Sequence, residues 1–395
     1  MAGILLPIVA LAAAGLLYLL FFVGHRDKRL PPGPPTLPII GNLHQIPKKG
    51  SYLIFTEWAK TYGGFYSLKL GPATAVVLTD RRLVKELLDK KSAKYSNRPY
   101  SHVSTELMTK GDHVLIMQYG DLWRKCRKLI HQSFMESKCD ASYVSTQNAE
   151  AAQMMRDFMI RPDQHMLHPK RYSNSIIMSL LFGIRTPAVD TGHMTKLYSM
   201  MENWSELMEP GNTPPVDIFP FLHWIPERWL GGWVTRSKGV GREMSDLYSG
   251  MLELVQTRRK EGTNLGSFTD GVLDQNEKMG LSQHELYFLV GTMMEGGSDT
   301  TSSIVIAWVQ AMVMWPEVLR KAQQEIDGLM REERSPVWGD YERLPYVAQM
   351  VKEAMRWRPV VPTAFPHALV EGECDFAQQG RLLLTSISFL LTSTH

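Results

Sequence analysis

The run Glu285-Leu-Tyr-Phe-Leu-Val-Gly-Thr-Met-Met-Glu-Gly-Gly-Ser-Asp-Thr-Thr-Ser-Ser-Ile-Val-Ile-Ala-Trp308 carries a helical pattern through a centre that breaks the rules of a good helix. Gly296 and Gly297 each cost about 1 kcal/mol relative to alanine in a helix interior. Asp299, Thr300 and Thr301 follow, an acid and two hydroxyls set between apolar blocks. Side chains at i and i+4 share a face, so Gly296 and Thr300 make a notch with a hydroxyl at its edge, against which a flat molecule can lie. Two adjacent glycines also favour a kink that frees a backbone carbonyl. The alternative is two helices, the first ended by the glycines and the second capped by Ser298 or Asp299.

Working outward, 395 residues can bury a large core, in one big domain or two ordinary ones. A net charge of +3, from 43 basic and 40 acidic residues, gives no reason to expect a nucleic-acid partner. Cys126, Cys139 and Cys374 are too few and too scattered for a disulfide scaffold or a Cys-rich metal cage, and they fit a reducing compartment. No metal cluster is assigned. The amino terminus is distinct: Ala2 to Val23 holds no charge, and its length as a helix is about 33 Å, close to the hydrocarbon core of a bilayer. Basic residues follow it in His25-Arg-Asp-Lys-Arg29 and none precede it, which places the amino terminus in the lumen and the body in the cytosol. A cleaved signal peptide would need a basic leader and a shorter apolar core. Residues 1–24 are therefore read as a membrane anchor, and 25–36 as a basic, proline-rich hinge stiffened by Leu30-Pro-Pro-Gly-Pro-Pro35.

From Tyr52 to Thr61 the pattern is helical, and then it switches to two β-rich runs, Phe65 to Leu70 and Ala73 to Thr79, joined by Gly71-Pro72 as a hairpin. Asp80 caps a helix running to Leu88. Residues 92–115 show no sustained period and read as a long connection of the kind that lies over binding sites. Helices are expected over 119–131, 146–159, 171–182, 191–208, 238–259, 283–314, 316–332 and 344–356. The Pro- and Trp-rich stretch 214–233 is an irregular apolar connection, open to three readings: a membrane patch, a pocket mouth or core packing. Many helices with one early hairpin give a mostly α domain of the α+β type.

Two further motifs carry chemistry. Trp123 and Arg127 sit at i and i+4 of one helix, and a cation beside an indole N–H is what a buried cofactor carboxylate requires. The bland alternative is a basic solvent face over one packed tryptophan. Glu353 and Arg356 sit at i and i+3, spaced for an intrahelical ion pair, with Met355 and Trp357 in the same turn arguing for partial burial.

Taken in this order, the anchor, the proline hinge, the Trp-x-x-x-Arg helix, the Gly-Gly-x-Asp-Thr-Thr helix and the Glu-x-x-Arg helix with Ala364-Phe-Pro-His-Ala368 resemble the cytochrome P-450 superfamily of heme-thiolate monooxygenases. The style is similar to microsomal fungal members that decorate secondary metabolites, polyketides or the like. The resemblance implies the cytochrome P-450 fold and a heme, held at a propionate by Trp123 and Arg127. It implies that Gly296 and Gly297 thin the helix over the distal heme face, where dioxygen fits. Asp299 and Thr300 would deliver protons during dioxygen cleavage, and Glu353 and Arg356 would shape the proximal side as a structural pair. It further implies oxidation of an apolar small molecule, NADPH electrons delivered by NADPH-cytochrome P-450 reductase, and an endoplasmic reticulum membrane location.

The resemblance has an edge. Members of the superfamily carry the iron-ligating cysteine in a Phe-x-x-Gly-x-x-x-Cys-x-Gly loop well beyond the Glu-x-x-Arg helix, and this chain contains no such pattern. Cys374, eighteen positions after Arg356, lacks the flanking glycines. The catalytic domain is thus expected to be partial over 37–371, with an atypical tail over 372–395 that matches neither a sheet segment nor a ligand loop, as a truncated and inactive product would give. The other function class left open is a non-catalytic, membrane-tethered heme- or ligand-binding protein.

Overall fold

The computed structural model describes residues 2–331 and 333–369, together with strand residues 373–374, 382–383 and 387–391. The first helix, α1 (Ala2–Phe21), contains Pro7 and has the apolar composition expected of the amino terminus. No single helix among the described residues is long and apolar enough to cross a membrane, the apolar helical stretch here being Val9–Phe21. The anchor expected over 1–24 rests on composition. The hinge after it is docked rather than free: Arg26 donates to Ser67 Oγ at 3.0 Å and to the carbonyls of Gly33 and Pro34 at 2.7 Å each. Buried Asn42 donates to the carbonyls of Pro34 and Pro35 and accepts from the backbone N–H of Lys69. The bonds to the Gly33, Pro34 and Pro35 carbonyls satisfy acceptors that the extended proline-rich backbone leaves without a local partner.

The hairpin forms as read. Strands β1 (Phe65–Leu70) and β2 (Ala73–Leu78) follow α2 (Ser51–Tyr62) and pair antiparallel with Phe65 opposite Leu78. Gly71 turns the chain with φ 60°, a value that suits glycine. Asp80 caps α3 (Arg81–Val84) by accepting from the Arg82 N–H, the chain winds on as a π-helical stretch to Lys90, and α4 (Ser92–Tyr95) follows. The connection expected over 92–115 therefore contains structure, including a π-helical segment, His102–Met108, capped by Ser101.

Next come α5 (Asp121–Phe134), α6 (Glu136–Lys138), α7 (Val144–Ile160), α8 (His168–Phe182) and α9 (Gly192–Met208). After the irregular 214–233 stretch follow α10 (Trp233–Lys260), α11 (Phe268–Met279), α12 (Gln283–Met314), α13 (Pro316–Met330) and α14 (Pro345–Trp357). Helix α11 is absent from the periodicity reading because its few apolar residues give no stripe. A Ser267–Asp270 capping box and burial of Phe268 and Val272 define it instead. Within the irregular connection Val216 and Trp233 are buried while Phe221, Trp224 and Trp229 are exposed, so it both packs and presents an apolar rim.

The central helix α12 is one unbroken element from a Ser282–Glu285 capping box to Met314, so the two-helix alternative fails. Packing outweighs the glycine penalty. Leu286, Phe288, Leu289, Val290 and Met294 are sealed in a core shared with α8 and α10, and each large apolar side chain buried returns about 1.5–3 kcal/mol. Helix α13 leaves α12 at 108°.

The sheet has the order β1-β2-β6-β3, with β3 at His367–Ala368 and β6 at Ile387–Leu391. A second pair joins β4 (Glu373–Cys374) to β5 (Leu382–Leu383). Strand β6 runs parallel to β2 and antiparallel to β3. Within the tail read as atypical, Ile387-Ser-Phe-Leu-Leu391 has the β-branched and aromatic character of a strand and pairs with a neighbour on each side.

Candidate active site on the central helix

The two central glycines face different ways. A Cβ at Gly296 would meet nothing within 4 Å, whereas one at Gly297 would lie 2.5 Å from Ile177 Cγ1 of α8. Gly296 thus opens the notch, and Gly297 lets α8 and α12 approach. Of the pair assigned to a cofactor face, only Gly296 borders open space. The Thr300 hydroxyl donates to the Gly296 carbonyl at 2.7 Å, one turn back, and both residues are exposed. The helix here is regular, so the freed carbonyl expected of a kink is replaced by a carbonyl that accepts a side-chain bond.

Asp299 looks elsewhere. It lines a cleft of about 680 Å³ with Lys170, Met194, Tyr198 and Glu202 of α8 and α9. Tyr198 donates to the Ser298 carbonyl at 3.0 Å, and burial raises its phenol well above the ordinary range. Asp299 and Thr300, expected to act together, are adjacent in sequence and point about 100° apart on the helix. Beneath them Asn174 donates to Ser298 Oγ at 3.0 Å, a buried tie between α8 and α12.

Trp123 is half-buried on α5, its ring 5.2 Å from that of Tyr119, while Arg127 is exposed and makes no hydrogen bond or ion pair among the described residues. The neighbouring Cys126 and Leu129 turn into the core. Arg98, which the motif reading missed, is half-buried and donates from Nη1 to the carbonyls of Phe365 and Pro366 at 3.0 and 2.9 Å. Burial lowers its pKa. Beside it His367 Nδ1 pairs with the Tyr95 carbonyl at 2.7 Å, and burial first, then the Arg98 charge, lowers that imidazole's pKa. The available signal was the Arg98-Pro99 pair and the Phe365-Pro-His367 run, which only the fold brings together.

Glu353 and Arg356 form a bidentate pair at 2.6 and 2.8 Å, and the Glu353 hydrogen bond raises the guanidinium pKa. The pair's side chains are 60% and 52% exposed, so the burial expected from Met355 and Trp357 is not what the structure has. Helices α12, α13 and α14 line an open cleft of about 520 Å³ between Trp308, Trp315, Met350 and Trp357, with Glu353 at its wall.

A heme needs cations for its carboxylates and a flat, open face. Arg127, with no partner of its own, and Arg98, with Nε and Nη2 uncommitted among the described residues, supply the first. The space beside Gly296 supplies the second. These residues fit the group's edge and distal face. The two described cysteines do not offer a ligand: Cys126 is sealed in the core, its thiol pushed up to about 11 by burial, and Cys139 bonds the Phe134 carbonyl. The side chain of Cys374 lies outside the described residues.

The sequence profile described as Cytochrome P-450 matches residues 31–383. A cytochrome P-450 monooxygenase of Arthrobotrys oligospora is 52% identical over 368 residues, which cover 92% of this chain and 68% of that protein. The cytochrome P-450 monooxygenase yanC of Aspergillus niger is 54% identical over 374 residues, 92% of this chain and 70% of the relative. For patH of Aspergillus clavatus the figures are 51% over 381 residues, 96% and 72%. Profile and relatives together span the α12 notch, the α5 cation and the α14 ion pair, and the chain belongs to the cytochrome P-450 family of heme-dependent monooxygenases.

Proposed function

We propose that this monooxygenase oxidises an apolar small molecule in fungal secondary metabolism, a polyketide or similar. Electrons come from NADPH through cytochrome P-450 reductase, and the body faces the cytosol from an anchor in the endoplasmic reticulum membrane. The observation that carries the reading is the α12 notch, open at Gly296 and edged by the Thr300 hydroxyl. The filamentous fungi that hold the related monooxygenases, and the uncharged amino-terminal run, support the setting.

Arg127 and Trp123 would hold the heme edge, with Arg98 as a further cation, and Gly296 and Thr300 would border its distal face. When bound, the heme supplies the dioxygen and electron chemistry. The chain's own residues position and protonate. Thr300 now donates to Gly296 O, and rotation about its Cα–Cβ bond turns the same hydroxyl proton into the notch. Asp299, partly exposed in its cleft, is placed to exchange protons with solvent behind it. The pairing of α8 and α12 through Asn174 and Ser298 holds both positions in register.

Reconstitution of the full chain with hemin, reductase and NADPH tests the reading: one oxygen atom from dioxygen appears in an apolar aromatic product. The second reading, a membrane-tethered heme- or ligand-binding protein without catalysis, is favoured by the sealed state of Cys126. The spectrum of the reduced carbon-monoxide complex separates them, since a thiolate-type band supports the monooxygenase and an imidazole-type band with no turnover supports the binding protein.

A further inference from the structure

The segment before α5 is tied to α12 at two points. Asp112 pairs with His284, and His113 Nε2 lies 2.9 Å from Glu295 Oε2. His284 and Glu295 are three turns apart on one face of α12. His113 is 1% exposed, with Trp204 of α9 stacked on it at 5.6 Å and Phe288 of α12 edge-on at 6.4 Å. Three elements thus meet over one carboxylate. Glu295 immediately precedes Gly296, the notch residue, and lies one turn before Asp299, the cleft residue, on the same face of the helix.

The pair leaves bonding capacity unused. His113 Nδ1, Glu295 Oε1 and Thr292 Oγ1 are buried and have no hydrogen-bond partner among the described residues. Thr292 and Glu295 are i and i+3, so their orphaned oxygens share a surface. Native interiors pair their polar atoms, and a cluster of unpaired ones beside a binding face marks where a ligand supplies the partner. A carboxylate oxygen only accepts, so the ligand must bring a donor.

We propose that Glu295, oriented by His113, is the specificity-determining contact for the substrate, and that the substrate is an otherwise apolar molecule carrying a hydroxyl group that donates to Glu295 Oε1. This rests on the open face of α12 being the substrate side. Hydrocarbons, ethers and carboxylates offer no donor there and are discriminated against. His113 is a positioning residue, since it reaches the ligand only through Glu295.

The test uses matched probes of one size, 2-naphthol and 2-methoxynaphthalene, titrated calorimetrically into the purified full chain supplied with hemin. The hydroxyl compound is expected to bind roughly 10- to 100-fold more tightly, the range of a hydrogen bond to a charged group. Glu295→Leu is expected to bring the two probes within about twofold of each other while leaving the ether's affinity in place. His113→Phe, which keeps a ring against Trp204, gives an intermediate preference; a pair that only braces the fold would shift both probes alike. Equal binding of the probes by the unaltered chain overturns the hydroxyl assignment and leaves the apolar pocket standing. Binding of neither overturns both. Persistence of the preference in Glu295→Leu overturns the role of Glu295, and because the probe comparison on the unaltered chain needs no variant, a misfolded mutant does not shield the proposal.

Discussion

Adjacent glycines with opposite surroundings make a matched experiment. Gly296→Ala adds a methyl where nothing stands within 4 Å, so the helix gains about 1 kcal/mol of propensity with no packing loss. Gly297→Ala gains the same propensity but drives its methyl to 2.5 Å from Ile177 Cγ1 and 2.8 Å from its Cβ and Cδ1. Ile177 is buried on α8 and bounded by core, so it cannot swing aside. Overpacking of this kind costs about 1–3 kcal/mol, which cancels or exceeds the propensity gain. The net expectation is a separation of about 1–3 kcal/mol between the two variants, with Gly296→Ala the more stable. Urea unfolding followed by circular dichroism, with the slope checked for constancy, reads this directly. Ile177→Ala alone costs about 2–5 kcal/mol, yet in combination with Gly297→Ala the sum should be undershot by at least about 0.5 kcal/mol, because the cavity takes up the added methyl. If Gly297→Ala matches Gly296→Ala, or the double variant is strictly additive, the close approach of α8 to α12 is wrong.

Other expectations follow from the same structure. Arg171, 1% exposed, pairs with Glu150 at 2.6 Å, and Glu150 also holds Arg185 at 2.6 Å. Arg171→Met leaves a buried carboxylate with one partner fewer and should cost about 3–5 kcal/mol by denaturant titration. Burial works to raise the Glu150 pKa, but hydrogen bonds from Arg185 and Arg171 outweigh it and the folded value is lowered. Its contribution is therefore fully present above the ordinary glutamate pKa and is lost as pH falls through the lower folded value, so Glu150→Gln should flatten the acid limb of the stability profile; an unchanged limb refutes the assignment. Thr300→Ala should preserve ligand affinity and divert NADPH-derived electrons to peroxide in the reconstituted system, and unchanged coupling removes Thr300 from proton delivery. Arg127→Ala should lower heme retained through gel filtration, with helical content unchanged by circular dichroism; full retention counts against the propionate contact.

Much of the architecture was legible because it is written locally. The α12 limits, the Gly71-Pro72 hairpin and the Asp80 cap come from periodicity, turn chemistry and capping, all of which act within a few residues. What periodicity cannot see is a polar helix such as α11, held by its cap and its neighbours, or a strand such as β6 that exists because β2 and β3 accept it. The proline hinge reads as a spacer, and only the fold brings Ser67, 41 residues on, to the Arg26 guanidinium.

The site divides in the same way. That Gly296 and Thr300, and likewise Trp123 and Arg127, share a helix face could be read in advance, since i to i+4 spacing sets this before any packing occurs. The division of labour between Gly296 and Gly297 could not, because it depends on which side α8 approaches. Nor could the pairing of His113 with Glu295, separated by 182 positions, or the placing of Asp299 in a cleft against α9. Helix, hairpin and motif spacing were determined by the sequence alone, since the interactions behind them are local. Which face of α12 stays open, and which of its acids is buried against a histidine, was decided by tertiary packing of segments far apart in the chain.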